Sequence, residues 1–280
     1  MSRWLIIGEP DWAPLSAFAE GLRSVGLDAF WTPINDWARE DCVAAVVYGL
    51  RFQGKDIVDH YAARGIPVVV IDHGYIKRVN VVSDLPTGYL QVGINRLGWM
   101  PAAAPSADRF EALGVSAQAR SPRPIRRALI MGQVAHDASH RLAPAQLEHC
   151  YEKLAEELFE VGIKTIAFRP HPLGASVNPK LRYDDVSSLD DAIARADLVV
   201  SINSNSGLDA ILAGCPAAVL KASHYTELAY RWPVWPALIE APNPERVNAY
   251  LQRLAYAQWT DAEIRAGLPL QFLQSLGAVP

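Results

Sequence analysis

Short, uninterrupted apolar runs recur along this chain and alternate with segments that have the period of an amphipathic helix. Residues 5–8, 42–48 and 66–71 are apolar at nearly every position, whereas residues 14–25 and 55–64 repeat their apolar residues at helical spacing. Runs that are apolar at successive positions are typical of strands covered on both faces, as in a parallel sheet flanked by helices. The first part of the chain therefore predicts an α/β fold of the Rossmann-like βαβ type.

The same alternation restarts in the second half of the chain, after a stretch rich in proline, alanine and serine. We interpret residues 101–125 as a crossing between two domains. The first domain comprises residues 1–100, and the second comprises residues 126–280. Residues 244–259 and 262–276 are predicted to be closing helices of the second domain. We expect the two domains to face a shared cleft with the carboxyl ends of their strands, where ligands of open α/β sheets bind. Strands of the second domain are predicted at 127–131, 165–168, 198–202 and 217–220.

Composition narrows the class of protein. The 280 residues are 50% hydrophobic and 20% charged, and the net charge is −4. The chain lacks the overall basic character that is typical of nucleic-acid-binding proteins. Its apolar stretches are all shorter than the roughly 18 residues of a membrane span. The three cysteines match no metal-binding spacing and indicate buried thiols in a reducing compartment. These features predict a cytoplasmic protein without a membrane span.

A loop of small polar residues joins one predicted strand of the second domain to the helix that follows it. Residues 201–207 read Ser-Ile-Asn-Ser-Asn-Ser-Gly. The free backbone N–H groups and the positive dipole end of a helix start favour an anion, and a glycine there is expected to let a ligand approach closely. One serine or asparagine is enough to cap a helix, so this many polar residues favour phosphate binding over a plain cap. The predicted phosphate-binding residues of this loop are Ser204, Asn205, Ser206 and Gly207.

A second polar segment follows the predicted strand at 165–168 and reads Arg-Pro-His-Pro. Arg169 offers a permanent charge in a planar fork that suits phosphate. The prolines fix the backbone and so orient His171, which needs only one N–H to donate to a phosphate. The alternative is a turn with a solvated histidine. Gly132 and Gln133 end the first strand of the second domain and are expected to leave room for a diphosphate or a sugar.

Acidic residues follow two predicted strands of the first domain. Asp72 ends the strand at 66–71 and is followed by His73. A carboxylate in this position suits the role of a general base towards a hydroxyl group, with His73 as a rival or helper. The alternative is that Asp72 only caps the next turn. Glu9 and Asp11 come at the end of the first strand and are alternative bases or ligands of acceptor hydroxyls.

The His-Pro pair at 171–172, followed by the serine-rich loop, resembles the HP and Ser-Ser/Thr motifs of bacterial sialyltransferases and capsule-type Kdo transferases. In those GT-B families the histidine and the serines hold the phosphate of a CMP-sugar, and an acidic residue near a glycine is the base. Asp72 before Gly74 is similar to that motif, with His73 in place of the second acid. The resemblance implies a glycosyltransferase, with acceptor groups in the first domain and the nucleotide-sugar in the second.

Residues 189–220 also resemble the donor half of GT-B enzymes and of nucleotide-sugar epimerases. There an acidic residue contacts the donor ribose, and Asp209 is the matching position, one carbon shorter than the usual glutamate. The acidic pairs at 184–185 and 190–191 do not lie where a donor metal is expected, so we expect transfer without a metal or other cofactor. The alternatives are a non-hydrolysing nucleotide-sugar epimerase and a non-catalytic nucleotide-binding module.

Two classes of acceptor fit the sequence equally. Segments 72–78 and 132–139 look like parts of phage-encoded proteins, and phages use small GT-B enzymes to glycosylate hydroxymethylated DNA bases in the host cytoplasm. Arginines at the crossing and aromatic rings would then contact DNA and stack on a flipped base, although solvated arginines and core aromatics are the simpler explanation. A soluble saccharide is the other acceptor, since carboxylates and aromatic platforms suit it. The acceptor-side candidates are Asp11, Tyr75, Arg78, Arg123 and Arg126.

Overall fold

The chain folds into two compact α/β units. The computed structural model describes residues 3–38, 42–79, 82–174 and 176–280. Unit 1 combines Met1–Leu113 with Gln252–Pro280, and unit 2 is Gly114–Leu251. The chain thus enters unit 2 within the predicted crossing at 101–125. Its C-terminal segment, which we predicted to be part of the second domain, belongs to unit 1.

Strands and helices alternate through most of both units. The strands are β1 (Arg3–Ile7), β2 (Asp28–Thr32), β3 (Ala44–Tyr48), β4 (Val68–His73), β5 (Tyr89–Ile94), β6 (Arg127–Met131), β7 (Thr165–Arg169), β8 (Leu198–Ser201), β9 (Ala217–Val219), β10 (Tyr230–Arg231) and β11 (Gln258–Thr260). The α-helices are α1 (Ala13–Ser24), α2 (Gly54–Ala62), α3 (Asp108–Leu113), α4 (Pro144–Glu160), α5 (Leu189–Arg195), α6 (Ser206–Leu212), α7 (Pro244–Ala255), α8 (Asp261–Arg265) and α9 (Leu268–Ser275). Short 3₁₀ helices cover Val82–Asp84 and Pro236–Leu238.

Unit 1 is built on a sheet with the strand order β11-β5-β4-β3-β1-β2. The strands β1 to β4 are parallel, as predicted for the apolar runs that form β1, β3 and β4, whereas β5 and β11 are antiparallel to their neighbours. Ile6 and Val46 pack with residues of α1 in one apolar cluster, and Leu5 and Val47 pack with residues of α2 in another. Both faces of the central strands are therefore covered, which explains why these strands are apolar at successive positions.

The C-terminal segment corrects the prediction of two closing helices. The first helix, α7, ends at Ala255, and the chain then extends to add β11 to the edge of the sheet beside β5. Gln258 is fully buried there and Trp259 is nearly so. The helical spacing continues to residue 259, so periodicity alone gives no sign that these residues pair with a strand formed much earlier in the chain. The second predicted helix is divided into α8 and α9 at Gly267, whose φ is +77°.

Unit 2 contains a fully parallel sheet with the order β10-β9-β8-β6-β7. The helix α4 covers one face and buries Leu147, Tyr151, Leu154 and Leu158, which recur at helical spacing. Because all the strands run in one direction, the loops that follow β6, β7, β8 and β9 meet at the same edge of the sheet. The polar segments singled out in the sequence lie in these loops.

Candidate functional site

The loops after β6 and β8 are joined by a reciprocal pair of hydrogen bonds. The backbone N–H of Asn203 donates to Oε1 of Gln133 over 3.0 Å, and Nε2 of Gln133 donates to Oδ1 of Asn203 over 2.9 Å. The hydroxyl oxygen of Ser139, in the same loop as Gln133, lies 3.1 Å from Asn203 Oδ1. Gln133 is only 7% exposed. Gln133 therefore follows the first strand of unit 2, as predicted, and its side chain fixes the loop after β8.

Gly132 makes room for the protein itself. A β-carbon at this position would lie 3.0 Å from both the carbonyl oxygen of Arg169 and the backbone nitrogen of His171. The N–H of Gly132 also donates to that Arg169 carbonyl over 2.8 Å. The glycine is thus required by the close approach of the segment after β7, a cause different from the expected space for a ligand.

His171 is oriented by its own loop and is partly exposed. The backbone N–H of Leu173 donates to Nδ1 of His171 over 3.1 Å. An accepting Nδ1 places the proton of the neutral ring on Nε2, which is then a donor. A β-carbon at Gly174 would lie 3.2 Å from Cβ of His171 and 3.5 Å from the carbonyl oxygen of Gln133. The loop that carries His171 therefore lies against the loop after β6.

Arg169 is directed to the protein and away from the role predicted for it. Its guanidinium donates to Oδ2 of Asp184 over 2.7 Å and to the carbonyl oxygens of Val186 and Ser187 over 2.9 and 3.1 Å. The Asp184 side chain is completely buried, and Arg127 approaches its other oxygen at 3.8 Å. The charge of Arg169 therefore neutralises a buried carboxylate, and we do not count this residue among the ligands of a phosphate.

The serine-rich loop bonds partly to itself. The buried hydroxyl of Ser201 accepts from the N–H of Ser204 over 3.2 Å. The hydroxyls of Ser204 and Ser206 lie 3.0 Å apart, and the Ser206 N–H donates to the Ser204 hydroxyl over 3.3 Å. Ser204 therefore contributes to the start of α6, while Ser204 and Ser206 both stay partly exposed. The loop can therefore cap α6 and still present these two serines at the predicted phosphate site.

Gly207 is explained by a neighbouring tyrosine. A β-carbon at Gly207 would lie 2.1 Å from the hydroxyl oxygen of Tyr225, which itself donates to the carbonyl oxygen of Ser204. Burial raises the pKa of Tyr225 to about 12, and the carboxylate of Asp209 acts in the same direction. The expectation that Gly207 lets a ligand approach is therefore replaced by a packing role, and Asp209, partly buried on α6, lies near the same tyrosine.

Lys221 is a positively charged residue at the carboxyl edge of the unit 2 sheet, and the sequence analysis did not single it out. Its backbone N–H donates to the carbonyl oxygen of Ile202, beside the serine-rich loop. Its Nζ donates to the carbonyl oxygen of His140 over 3.2 Å, so the side chain reaches from the loop after β9 to the loop after β6. These two loops flank the end of β8, because the strand order is β9-β8-β6. The only available signal was a lysine one residue beyond a predicted strand.

Asn205 is bonded to a histidine that the sequence did not single out. Its Oδ1 lies 2.9 Å from Nε2 of His224, whose Nδ1 lies 2.7 Å from the hydroxyl of Tyr250. Burial lowers the pKa of His224 to about 3, so the ring is neutral at physiological pH. The side-chain oxygen of Asn205 therefore faces an uncharged imidazole.

His224 is expected to make the protein less stable in acid. Its pKa lies at about 3 in the folded protein, against an ordinary value of 6.5. As the pH falls below 6.5, the unfolded chain takes up a proton here and the folded protein does not, so the free energy of unfolding decreases until about pH 3. In His224→Gln, denaturant titrations across this window should show a shallower decrease, equivalent to about one proton less. The same pH dependence in both proteins would contradict this assignment.

The arginines of the predicted crossing lie at the other edge of the sheet. Arg120 and Arg123 donate to carbonyl oxygens at the C-terminal end of α5, and Arg123 also pairs with Asp197. Arg126 is exposed and directly precedes β6, and Arg127 faces Asp184. The amino ends of β6 and β8 carry these residues, whereas the serine-rich loop follows the carboxyl end of β8. Arg123 and Arg126, which we predicted to be acceptor-side residues at the crossing, therefore lie at the edge of the unit 2 sheet opposite the serine-rich loop.

In unit 1, Asp72 and His73 end β4 as predicted. Oδ1 of Asp72 accepts from the backbone N–H of His73 over 2.7 Å. Nδ1 of His73 lies 2.6 Å from the carbonyl oxygen of Val79 and must donate to it, which leaves Nε2 as an acceptor. His73 is exposed and Asp72 is partly exposed. Both side chains therefore have the chemistry of a base.

Aromatic side chains accompany these acids at the same edge of the sheet. Tyr48 ends β3, and its ring lies 6.3 Å from that of His73 and 5.3 Å from that of Trp12. Burial raises the pKa of Tyr48, and the charge of Asp72 raises it further. Glu9 and Asp11 are exposed in the loop after β1, next to Trp12, which is 45% exposed. Sequence reasoning missed both aromatic residues, since a strand-terminal tyrosine looks like any core residue.

Tyr75 differs from its predicted role as an acceptor-side residue, whereas the acceptor-side prediction for Arg78 stays untested. Tyr75 is only 5% exposed, and its hydroxyl donates to Gln91 over 2.7 Å. Its backbone N–H donates to the buried Gln258 of β11 over 2.9 Å. Tyr75 is thus part of the core and is not available to stack on an acceptor. Arg78 is partly exposed and forms an isolated β-bridge with Tyr89.

The residues that the structure describes form neither a metal-ligand cluster nor a membrane-spanning helix. No group of three or more histidine, cysteine or acidic side chains among them is arranged to hold a metal ion. None of the helices found in the described ranges is long and apolar enough to cross a membrane.

Comparison with known proteins identifies the fold. No protein-family model matches the chain, and no curated protein matches it significantly in sequence. The solved structure of a KpsC β-Kdo 2,4-transferase from Thermosulfurimonas dismutans is similar over 91% of each chain, with a TM-score of 0.55 and 13% identity. The KpsC β-Kdo 2,7-transferase of the same organism covers 97% of this chain and is itself covered completely, with a TM-score of 0.53 and 13% identity. The chain thus has the two-unit α/β fold of the GT-B type predicted from its sequence.

Proposed function

We propose that this protein is a glycosyltransferase that moves a sugar from a nucleotide-sugar donor to a hydroxyl group of an acceptor. The observation that supports this most is the meeting of the loops after β6, β7 and β8 at one edge of unit 2, joined through Gln133. These loops, together with Lys221 from the loop after β9, bring a histidine N–H, serine hydroxyls and a lysine to the place where parallel sheets bind their ligands. The similarity to two Kdo transferases supports the same function at the level of the fold.

The donor phosphate is held by His171, Lys221 and the serine-rich loop in this proposal. His171 donates from Nε2, because Nδ1 accepts from Leu173. Lys221 supplies the positive charge that the sequence assigned to Arg169, since Arg169 neutralises Asp184. These groups stabilise the negative charge that grows on the leaving phosphate as the bond to the sugar breaks.

The base that removes the acceptor proton is assigned to Asp72 in unit 1. Its carboxylate is partly exposed at the end of β4 and lies close enough to Tyr48 to raise the pKa of that hydroxyl. His73 is the second candidate because its Nε2 is an acceptor, and Glu9 is the third because it is exposed at the end of the neighbouring strand β1.

A saccharide is the proposed acceptor. The case for DNA rested on arginines that the structure places at the other edge of unit 2, and on aromatic residues such as the buried Tyr75. At the carboxyl edge of unit 1, Glu9 and Asp11 are exposed in the same loop as the exposed Trp12. Carboxylates repel a polyanion and accept hydrogen bonds from hydroxyl groups, while an aromatic ring packs against a sugar face, so this surface favours a saccharide.

The donor site is expected to need His171 and Lys221 for affinity. In a thermal-shift screen against CMP-, UDP-, GDP- and dTDP-sugars, the true donor raises the melting temperature by mass action. His171→Ala and Lys221→Met should each weaken binding of that donor about 10–100-fold, the effect of one lost hydrogen bond to a charged group. His149→Ala, at an exposed position on α4, is the matched control. A transferase assay on the same donor tests the function directly, and unchanged affinity in both variants would remove the proposed site.

Transfer is expected to proceed in EDTA at an unchanged rate. The charge of Lys221 and the N–H of His171 take the place of a cation at the leaving phosphate in this proposal. Product formation should be compared in enzyme treated with EDTA and in the same enzyme after Mg²⁺ or Mn²⁺ is restored. A rate that collapses in EDTA and returns with the metal would show that the phosphate is held in another way.

A further inference from the structure

Three polar side chains form a row across the sheet of unit 1. Asp72 on β4 is paired with Gln91 on β5, and Gln91 is paired with Gln258 on β11. Residues directly opposite each other on antiparallel strands project their side chains from the same face of the sheet. Gln258 is fully buried, whereas Gln91 and Asp72 are partly exposed. The row therefore leads from a buried amide on the edge strand to the proposed base.

Gln91 fixes the residue that follows the base. Its Nε2 donates to the carbonyl oxygen of His73 over 2.9 Å, and its Oε1 accepts from the hydroxyl of Tyr75 over 2.7 Å. Because a carbonyl oxygen only accepts, the nitrogen end of the amide must face His73. The backbone N–H of His73 in turn donates to Oδ1 of Asp72 over 2.7 Å. Gln91 thus holds the residue whose N–H contacts the carboxylate of the base.

Gln258 fixes the two buried residues at 75 and 76, in the loop that follows β4. Its Oε1 accepts from the backbone N–H groups of Tyr75 and Ile76 over 2.9 and 3.0 Å, and its Nε2 donates to the carbonyl oxygen of Ile76 over 3.3 Å. Ile76 and Gln258 are 182 residues apart in the sequence. An apolar side chain in place of Gln258 would leave these buried backbone groups without their partner. The C-terminal segment therefore supports the loop directly after Asp72 and His73.

Gln258 is itself held by contacts of its own strand. Arg109 donates to the carbonyl oxygen of Gln258 over 2.8 Å and forms an ion pair with Glu263. The guanidinium carbon of Arg109 also lies 3.6 Å from the centroid of the ring of Trp259, the residue after Gln258. These contacts fix β11 at the edge of the sheet, so the glutamine is a rigid support for the loop.

We infer that Gln91 and Gln258 are positioning residues for the acceptor base, which hold the backbone at residues 73–76 so that the carboxylate of Asp72 meets the acceptor hydroxyl. This inference rests on the proposed function and adds the C-terminal segment to the acceptor side of the site. The two glutamines act through Asp72 and do not touch the acceptor. Proton transfer depends steeply on the position of the base, so a loosened loop lowers kcat. Donor binding stays unchanged, because it is assigned to unit 2.

The test is kinetic, on the full-length protein with CMP-, UDP-, GDP- and dTDP-sugars as donors and lactose, maltose and cellobiose as acceptors. Gln91→Met keeps the length of the side chain and removes both of its hydrogen bonds, and it should lower kcat about 10–100-fold. Gln258→Met should act in the same direction. KM for the donor and the calorimetric Kd of the nucleotide should stay constant in both variants. Gln271→Met, at an exposed position on α9, is the matched control.

Two further variants separate positioning from a general loss of stability. In the Asp72→Asn background, Gln91→Met should cause little further loss of rate, because no base is left to position. Val92→Ala changes a buried core residue next to Gln91 on β5, so it should lower stability in urea denaturation and leave kcat unchanged. If Gln258→Met does not fold, Gln91→Met decides the test, since its side chain is partly exposed.

The outcomes distinguish this inference from the proposed function. If the unaltered protein transfers sugar and Gln91→Met has the same kcat, the inference alone is overturned. The same conclusion follows if the losses of Gln91→Met and Asp72→Asn multiply fully in the double variant, or if Val92→Ala lowers kcat as much as Gln91→Met does. If the unaltered protein releases nucleotide from none of the four donors, with or without an acceptor, the proposed function fails and the inference fails with it.

Discussion

Replacing Asp72 with asparagine is expected to lower the transfer rate by about 10²–10⁴-fold, the usual contribution of general base catalysis. The substitution keeps the shape of the side chain and its ability to accept from the N–H of His73. It removes the negative charge that takes the acceptor proton. Nucleotide binding should be unchanged, because the groups assigned to the donor all belong to unit 2. Rates with saturating donor and calorimetric titration of the nucleotide measure the two effects separately.

The rival bases provide the comparison. His73→Gln and Glu9→Gln are expected to retain most of the rate, since each keeps a polar side chain at the same edge of the sheet. If Asp72→Asn works at full rate and His73→Gln does not, the base is the imidazole, whose Nε2 is already an acceptor. The pH dependence of kcat/KM then distinguishes a carboxylate from an imidazole, because the two groups titrate in different ranges.

Replacing Arg169 with methionine is expected to cost about 3–5 kcal/mol of stability, as when one partner of a buried ion pair is removed. The side chain of Asp184 has no exposed surface, and Arg169 donates to one of its oxygens over 2.7 Å. Without that guanidinium the carboxylate is left with Arg127 at 3.8 Å. Urea denaturation should show the loss as a lower midpoint with a similar slope.

A second substitution tests the cause of this loss. In Arg169→Met combined with Asp184→Asn, the buried charge is gone, so part of the lost stability should return. If Arg169→Met instead folds with unchanged stability and loses its affinity for nucleotide, the arginine is a donor ligand after all. Arg169 would then be a phosphate ligand, as predicted from the sequence, and not only the partner of Asp184.

Elements whose partners are close in sequence could be predicted from their pattern. The helix α4 buries the residues that its spacing selects, and the apolar runs around β1, β3 and β4 form parallel strands. The strand β11 could not be found in this way. It exists because Gln258 and Trp259 pair with β5, and that pairing joins parts of the chain far apart in sequence.

The polar loops of the candidate site follow the strands after which the sequence predicts them, but the structure gives several of their residues other roles. Residue type alone cannot distinguish an arginine that binds phosphate from one that neutralises Asp184, since both use the same guanidinium. In the same way, the cause of Gly207 is the ring of Tyr225, which a loop pattern does not reveal. Lys221 was missed because its relation to His140 depends on the order of three strands.

The return of the chain to unit 1 has a consequence for synthesis on the ribosome. Unit 2 is an uninterrupted stretch, Gly114–Leu251, whereas unit 1 lacks β11, α8 and α9 until Gln252–Pro280 has been made. Unit 2 can thus fold first, although it begins later in the sequence. Until residues 252–280 are made, the edge of β5 in unit 1 is unpaired and α1 is not covered by α8. A nascent chain stalled shortly before its end would carry a finished second unit and an incomplete, aggregation-prone first one.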